Sequence, residues 1–421
     1  MTLSESIYLR YYKWSGLILL LFASFQFIFG ISPGWTEIRS DFPNYYVSGA
    51  LLFESPDSLQ LYNNDWFQEK IHEHKIAAAG KFSPFPPPTA FLIAPLTVFE
   101  PIVAKRIWLI LNLAFIVLIS ILIKKISRFK LRDGFILLLC SGLACANTLM
   151  LGQMYLLLLL SMLYSYHLLI SNKQSTAGLV IGAGIAVKYF PLVFFPSLFY
   201  KRKWKCLTSI MITIAFLNFA AVLLLGINTY VDFFESILFQ HLNGKLEGQS
   251  PWSNAFQSWN ALAYNLFKYD AIENPNPFMQ SESLFCLFKY GVQLSILAIM
   301  ILVLTKHKGK ADFFEAALIL FSVTVLYLTP AGATYHSLLL LFPFTLMAKI
   351  APLNNPTFKK IWLILITCLV LSGLIPLLQN KIPFLNSNML FSFYRLWLMS
   401  IIFISVCYWV YYSEKYATSG R

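Results

Sequence analysis

The chain has 421 residues, 58% of them hydrophobic and only 12% charged, with a mean hydropathy of +0.65. A soluble domain carries about 25% charged residues, so a soluble globular protein, a disordered chain and a secreted disulfide scaffold are all excluded. The net charge of +13 raises nucleic acid as a partner, and the positions of the charges decide against it.

Apolar runs at 14–31, 102–123, 134–149, 154–170, 175–187, 189–200, 206–226, 286–304, 313–329, 336–349, 361–378 and 393–412 predict an all-α polytopic membrane protein of about twelve crossings. The runs 175–187 and 189–200 are short for about 30 Å of hydrocarbon, and read either as crossings or as a re-entrant pair. Arg10 and Lys13 precede the first run, and no small-x-small cleavage site follows it, so it is expected as an uncleaved helix. With the N-terminus inside, Lys124–Arg132, Lys173, Lys201–Lys205, Lys306–Lys310, Lys349–Lys360, Lys415 and Arg421 all fall inside as well. The basic excess is therefore the positive-inside signal of a cytoplasmic membrane protein with both termini cytoplasmic. No nucleic acid is implied. All six cysteines lie in or beside apolar runs, which argues against a disulfide framework.

The chain reads as one integral membrane domain, 1–421, without a repeat or a soluble domain. Two outer loops are long, 32–101 and 228–285, and loops of that length are usually functional. The first is expected to hold an amphipathic helix, Asn64 to Ala79, capped near Asn63 and lying at the membrane interface through Trp66, Phe67 and Ile71.

Several residues in these outer segments carry candidate chemistry. Asp41, in Ser40-Asp41-Phe42-Pro43-Asn44-Tyr45-Tyr46, lies about ten residues beyond the first span. A carboxylate against aromatics suits a general base; the bland reading is a cap for a helix over 43–53. Lys188, in Val187-Lys188-Tyr189-Phe190-Pro191, is a cation between apolar runs that either meets an anion or snorkels. The Gly178/Gly182 spacing before it reads as helix packing, and no phosphate-loop motif is present. His336 and Gln153 sit at the outer ends of spans, as site residues or as structural hydrogen-bonding groups. Glu69, His72 and Glu73 share a helix face, better explained by solvation than by a metal. Asp232 and Glu235 are reserve carboxylates, and Ser253, Asn254 and Trp259-Asn260 could hydrogen-bond and stack on a sugar. Neither a metal nor a cofactor is assigned.

Taken in order, several motifs resemble glycosyltransferase family 87 of the GT-C superfamily. They are Asp41-Phe42-x-x-Tyr45-Tyr46, Leu61-Tyr62, Phe85-x-Pro87-Pro88, Pro95-Leu96, Trp108-x-x-x-Asn112, Gly152-Gln153, Ala177-Gly178 through Lys188-Tyr189-Phe190-Pro191, Trp204, and the Pro330-to-His336 segment. Ser55-Pro56-Asp57-Ser58 replaces the usual Gly before Leu-Tyr, and the small-residue pattern near His336 also departs. The resemblance implies a GT-C-type bundle and inverting transfer of a hexose, most commonly mannose, from a polyprenyl-phosphate donor. The acceptor would be a lipid or glycan hydroxyl on the outer face of the cytoplasmic membrane. It further implies Asp41 as base, with Lys188 and His336 on the donor phosphate and Tyr45, Tyr46 and Gln153 around the substrates; Asn254 joins the substrate-binding set from the reading of its loop alone. Two alternatives stand beside it. A lipid-linked oligosaccharide polymerase or ligase would favour arginines in the outer loops, and loop 228–285 has none. A secondary transporter would favour inverted repeats and mid-membrane charges.

Overall fold

The computed structural model describes residues 3–56, 59–245, 249–350, 356–379, 382 and 389–417. Asp57, Ser58 and Arg421 lie outside the described residues, as do the side chains of Arg10, Lys13 and Lys415. The protein is an all-α polytopic membrane protein, and among the described residues a lone bridge between Asp270 and Asn274 is the only β pairing.

All twelve apolar runs are helical, but they divide by length. Among the described residues, six helices are long and apolar enough to cross a membrane: Trp14–Thr36, Pro101–Ile126, Trp204–Leu225, Glu282–Lys306, Pro356–Gln379 and Tyr394–Tyr412. The run expected as one crossing at 134–149 is two helices, Leu131–Leu139 and Leu143–Leu151, bent by 78°; counted as one span they make a seventh. The other five runs form shorter helices, among them Tyr155–Ile170, Gln174–Val187 and Phe313–Leu328. At 1.5 Å per residue a 16-residue helix reaches about 24 Å, less than the hydrocarbon thickness.

Burial follows the same division. Trp204–Leu225 turns Met211, Ile212, Phe216, Phe219 and Leu223 outward, whereas Tyr155–Ile170 buries Tyr155, Leu159, Met162, Leu163 and Tyr166. The short helices are thus the packed interior, and the long ones supply much of the lipid-facing surface. Gly178 and Gly182 do pack helices: a Cβ on Gly178 would lie 2.4 Å from the Cys206 carbonyl oxygen, and one on Gly182 would lie 2.8 Å from Thr213. The Trp204–Leu225 backbone therefore rests directly on Gln174–Val187.

Inside the bundle, Lys349 pairs with Glu315 at 2.6 Å, Tyr166 donates a hydrogen bond to Glu315 at 2.5 Å, and Lys349 also bonds the Tyr166 hydroxyl. This joins three helices about 16 Å along Tyr155–Ile170 from Tyr155.

The first long loop folds back onto the bundle. It holds the helices Phe42–Ala50 and Asn64–Glu73 and the 3-10 turns Pro87–Leu92 and Ala94–Leu96. Asn63 caps the second helix by accepting from the Trp66 N–H at 3.2 Å. That helix stops at Glu73 rather than Ala79, because the chain turns at Lys75 with φ 58°. Its apolar face meets protein, not lipid: Phe67 and Ile71 are fully buried, with Phe67 packed on Phe82. Glu69, His72 and Glu73 are exposed, Glu73 pairs with Lys70, and no group of three or more His, Cys, Asp or Glu suited to a metal occurs among the described residues.

Candidate functional site

Asp41 directly precedes the helix Phe42–Ala50, whose first turn is set by Pro43. Its backbone lies at φ 83°, ψ −52°, and its side chain makes no capping hydrogen bond. The capping explanation therefore fails. A non-glycine residue at this φ costs about 1–3 kcal/mol, and here the strain turns the carboxylate away from the helix it precedes.

What the carboxylate meets is Gln153. The Tyr45 hydroxyl donates to Gln153 Oε1 at 2.7 Å, which leaves the amide nitrogen of Gln153 for Asp41, to which this side chain is hydrogen-bonded. Burial raises the Asp41 pKa above its ordinary value, opposed by the Gln153 bond and the charges of Lys188 and Lys105. Tyr45 and Tyr46 separate here. Adjacent helical residues project about 100° apart, and the Tyr46 hydroxyl donates to the Phe99 carbonyl at 2.8 Å, so Tyr46 fastens the end of the loop and only Tyr45 joins the site.

Gln153 is aimed by a tight turn. Gly152 ends the helix Leu143–Leu151 in the left-handed region, φ 73°, where a Cβ would stand 3.1 Å from both Lys105 Nζ and Phe42. Trp108 Nε1 donates to the Gly152 carbonyl at 2.9 Å. Lys105, fully buried, donates to the carbonyls of Leu149 and Met150 at 3.0 and 2.8 Å. Its ammonium thus occupies the negative end of a helix that stops inside the protein. Sequence reasoning missed Lys105. The available signal was a cation near the start of an apolar helix, where it opposes the macrodipole.

Lys188 leaves the end of Gln174–Val187 in extended backbone. Its ammonium lies 4.4 Å above the Tyr155 ring and 4.9 Å above the Phe85 ring, a two-sided cation–π cage. Thr89 ties the Pro-rich turn to this corner by donating to the Val187 carbonyl at 3.0 Å. His336 stands edge-on to the same Tyr155 ring at 4.9 Å, and its Nδ1 accepts the Ala333 N–H at 2.8 Å. An imidazolium has no acceptor, so this bond holds His336 neutral with its proton on Nε2. The Tyr155 hydroxyl, buried at the centre of this cluster, has no hydrogen-bond partner among the described residues.

Two more basic side chains reach the cluster, and neither was singled out from the sequence. Arg395, at the start of Tyr394–Ala417, donates to Thr334 Oγ1 at 2.8 Å and to the Ala255 carbonyl at 2.6 Å, while its backbone N–H donates to Gln257. Its Nε is buried without a partner. His241, in the second long loop, is held neutral, its pKa pushed down to about 4 by burial and by the charges of Lys188 and Lys81. The charges of Lys188 and Arg395 act on His336, and the neutral His241 ring lies near enough to be felt there as well. None of Lys105, Lys188 and Arg395 has a carboxylate within 4.0 Å among the described residues.

Of the remaining candidates, Ser253 and Asn260 line a small pocket with His241 and Pro330. Asn254, Asp232 and Glu235 are exposed. Trp259 packs among Phe288, Tyr327 and Trp397, a core position and no sugar platform. The Asn260 side chain donates to the Asn243 carbonyl at 3.0 Å and braces the loop.

The cluster draws together the Pro-rich turn, the Gly152-Gln153 turn, the Lys188 corner and the segment after Pro330. A family model, glycosyltransferase family 87, matches residues 84–330, more than half of the chain. The chain belongs to glycosyltransferase family 87. It is therefore a GT-C-type membrane glycosyltransferase, with sugar donor and acceptor as substrates. The family match takes in Lys105, Gln153 and Lys188; Asp41, His336 and Arg395 lie outside it. No curated protein and no solved structure matches the chain.

Proposed function

We propose that this family 87 enzyme moves a hexose, with mannose the first candidate, from a polyprenyl-phosphate donor to a lipid or glycan hydroxyl on the outer face of the cytoplasmic membrane, with inversion. The observation that carries this reading is the charge arrangement: one recessed carboxylate on a strained residue, facing cations that have no other carboxylate. Buried charge without a partner costs several kcal/mol, and a phosphate is the group that would relieve it.

In the reaction, Asp41 takes the proton of the acceptor hydroxyl as its oxygen bonds to the anomeric carbon. The bond from that carbon to the phosphate oxygen breaks, and its electron pair leaves with the lipid phosphate. That anion is stable, so no general acid is required; one carboxylate suffices where glycoside hydrolysis uses two. Lys188 stabilises the developing charge, and His336 donates a neutral hydrogen bond through Nε2–H. Tyr45 and Gln153 hold Asp41 ionised and oriented. The prenyl tail stays in the bilayer, which accounts for a site at the membrane boundary.

The test is transfer by the purified protein from a panel of prenyl-phosphate sugars into a lipid extract, with product configuration read by NMR. Transfer from a nucleotide sugar alone, with every lipid donor inert, would defeat the proposal.

A further inference from the structure

A cavity opens between the segment Gly332–Leu340 and the last helix. Its lining includes the polar side chains of Arg395, His336 and Ser337 and the apolar ones of Leu340, Met399 and Ile402. His336 is shared with the cluster around Tyr155, so the cavity adjoins the candidate site.

Arg395 needs explaining in its own right. Among the described residues its guanidinium donates to neutral oxygens alone, those of Thr334 and Ala255, and its buried Nε–H meets no acceptor. Bonds to neutral acceptors do not cancel a charge, and a half-buried cation with a buried N–H gains from an anion that visits it. A planar guanidinium with a free N–H beside an apolar wall suits the head of an amphiphile.

We propose that Arg395 is a donor-binding residue: it holds the phosphate of a prenyl phosphate, whose first isoprene units lie against Leu340, Met399 and Ile402. The phosphate then sits between Arg395 on the lipid side and Lys188 on the sugar side, with His336 at the junction. This deepens the proposed function and rests on it.

Full-length protein in nanodiscs tests it by binding of a sugar-free prenyl phosphate, by competition with inorganic phosphate, and by donor KM against kcat. Arg395→Gln is expected to weaken prenyl phosphate by about 30-fold or more, the usual effect of truncating a desolvated charge-assisted bond, and to raise donor KM more than it lowers kcat. Arg395→Lys recovers part of the loss. Met399→Trp leaves Arg395 in place and fills space along the apolar lining, so it should weaken prenyl phosphate while inorganic phosphate competes as before. Parent-like prenyl-phosphate binding in folded Arg395→Gln or Met399→Trp would overturn the assignment, as would equal weakening of inorganic phosphate by Met399→Trp. If the parent itself binds no prenyl phosphate, the proposed function falls with it, and that outcome is separable because it needs no variant.

Discussion

Replacing Asp41 by asparagine isolates the proton-accepting role, because the structure indicates what the change leaves intact. The side chain caps no helix, so no cap is lost. Asparagine visits positive φ about as readily as aspartate, and an amide oxygen can still accept from Gln153. Folding should change by no more than about 0.5 kcal/mol. Transfer should fall by about 10²–10⁴-fold, the usual contribution of a general base, or roughly 3–5 kcal/mol on the barrier. Asp41→Gly is the companion variant: glycine relieves the strain at φ 83°, so the protein should melt no lower, and about 1 kcal/mol of gain is expected. It should nonetheless be as inactive as the asparagine form. Initial rates at saturating donor and thermal melts of the same preparations supply both readouts. An Asp41→Asn enzyme that melts normally and transfers within tenfold of the parent would refute the base role.

Four further outcomes are expected. Burial raises the Asp41 pKa and the Gln153 bond lowers it, so Gln153→Met, which removes a bond to the ionised form, should move the acid limb of the kcat/KM–pH profile to higher pH; an unmoved limb would separate Gln153 from the base. Lys188→Ala should weaken donor use strongly, Lys188→Arg should keep part of it, and His336→Ala should show a milder defect, all read as donor KM. Glu315→Gln leaves Lys349 without its carboxylate partner and should cost about 1–3 kcal/mol, seen as a lower melting temperature with activity per folded molecule retained. Asn63, Asn254 and Lys308 are all exposed, so in a Cys286→Ser background single cysteines at Asn63 and Asn254 should label in intact cells with an impermeant maleimide; labelling at Lys308 would reverse the proposed orientation.

Hydropathy carried the architecture well because lipid imposes it: each apolar run is helical, with ends shifted by a few residues. It could not see the 78° bend at 140–142, since both halves are equally apolar. Nor could it tell a membrane-facing surface from a protein-facing one, which is why Phe67 and Ile71 were expected at the interface and are buried in the core. Asp41, Tyr45, Gln153, Lys188 and His336 were each visible as polar residues at the ends of apolar stretches. Lys105 and Arg395 share that position, but a charge count treats them as ordinary members of the outer set. Only tertiary structure shows that one occupies the end of a broken helix and the other has no anion.

The bend that delivers the end of Leu143–Leu151 to Lys105 has a consequence for turnover. With Lys105 committed to those carbonyls, the groups that answer to ligand in the proposed reaction are Lys188, Arg395 and Asp41. An ionised Asp41, two cations and a donor phosphodiester of single charge sum to zero. Transfer preserves the zero, since the proton on Asp41 matches the second charge of the new phosphomonoester. Neutrality ends only when Asp41 gives that proton to water, which leaves the spent lipid phosphate one charge in excess. Resetting the base and expelling the product would then be one event, and product release would be slower at lower pH.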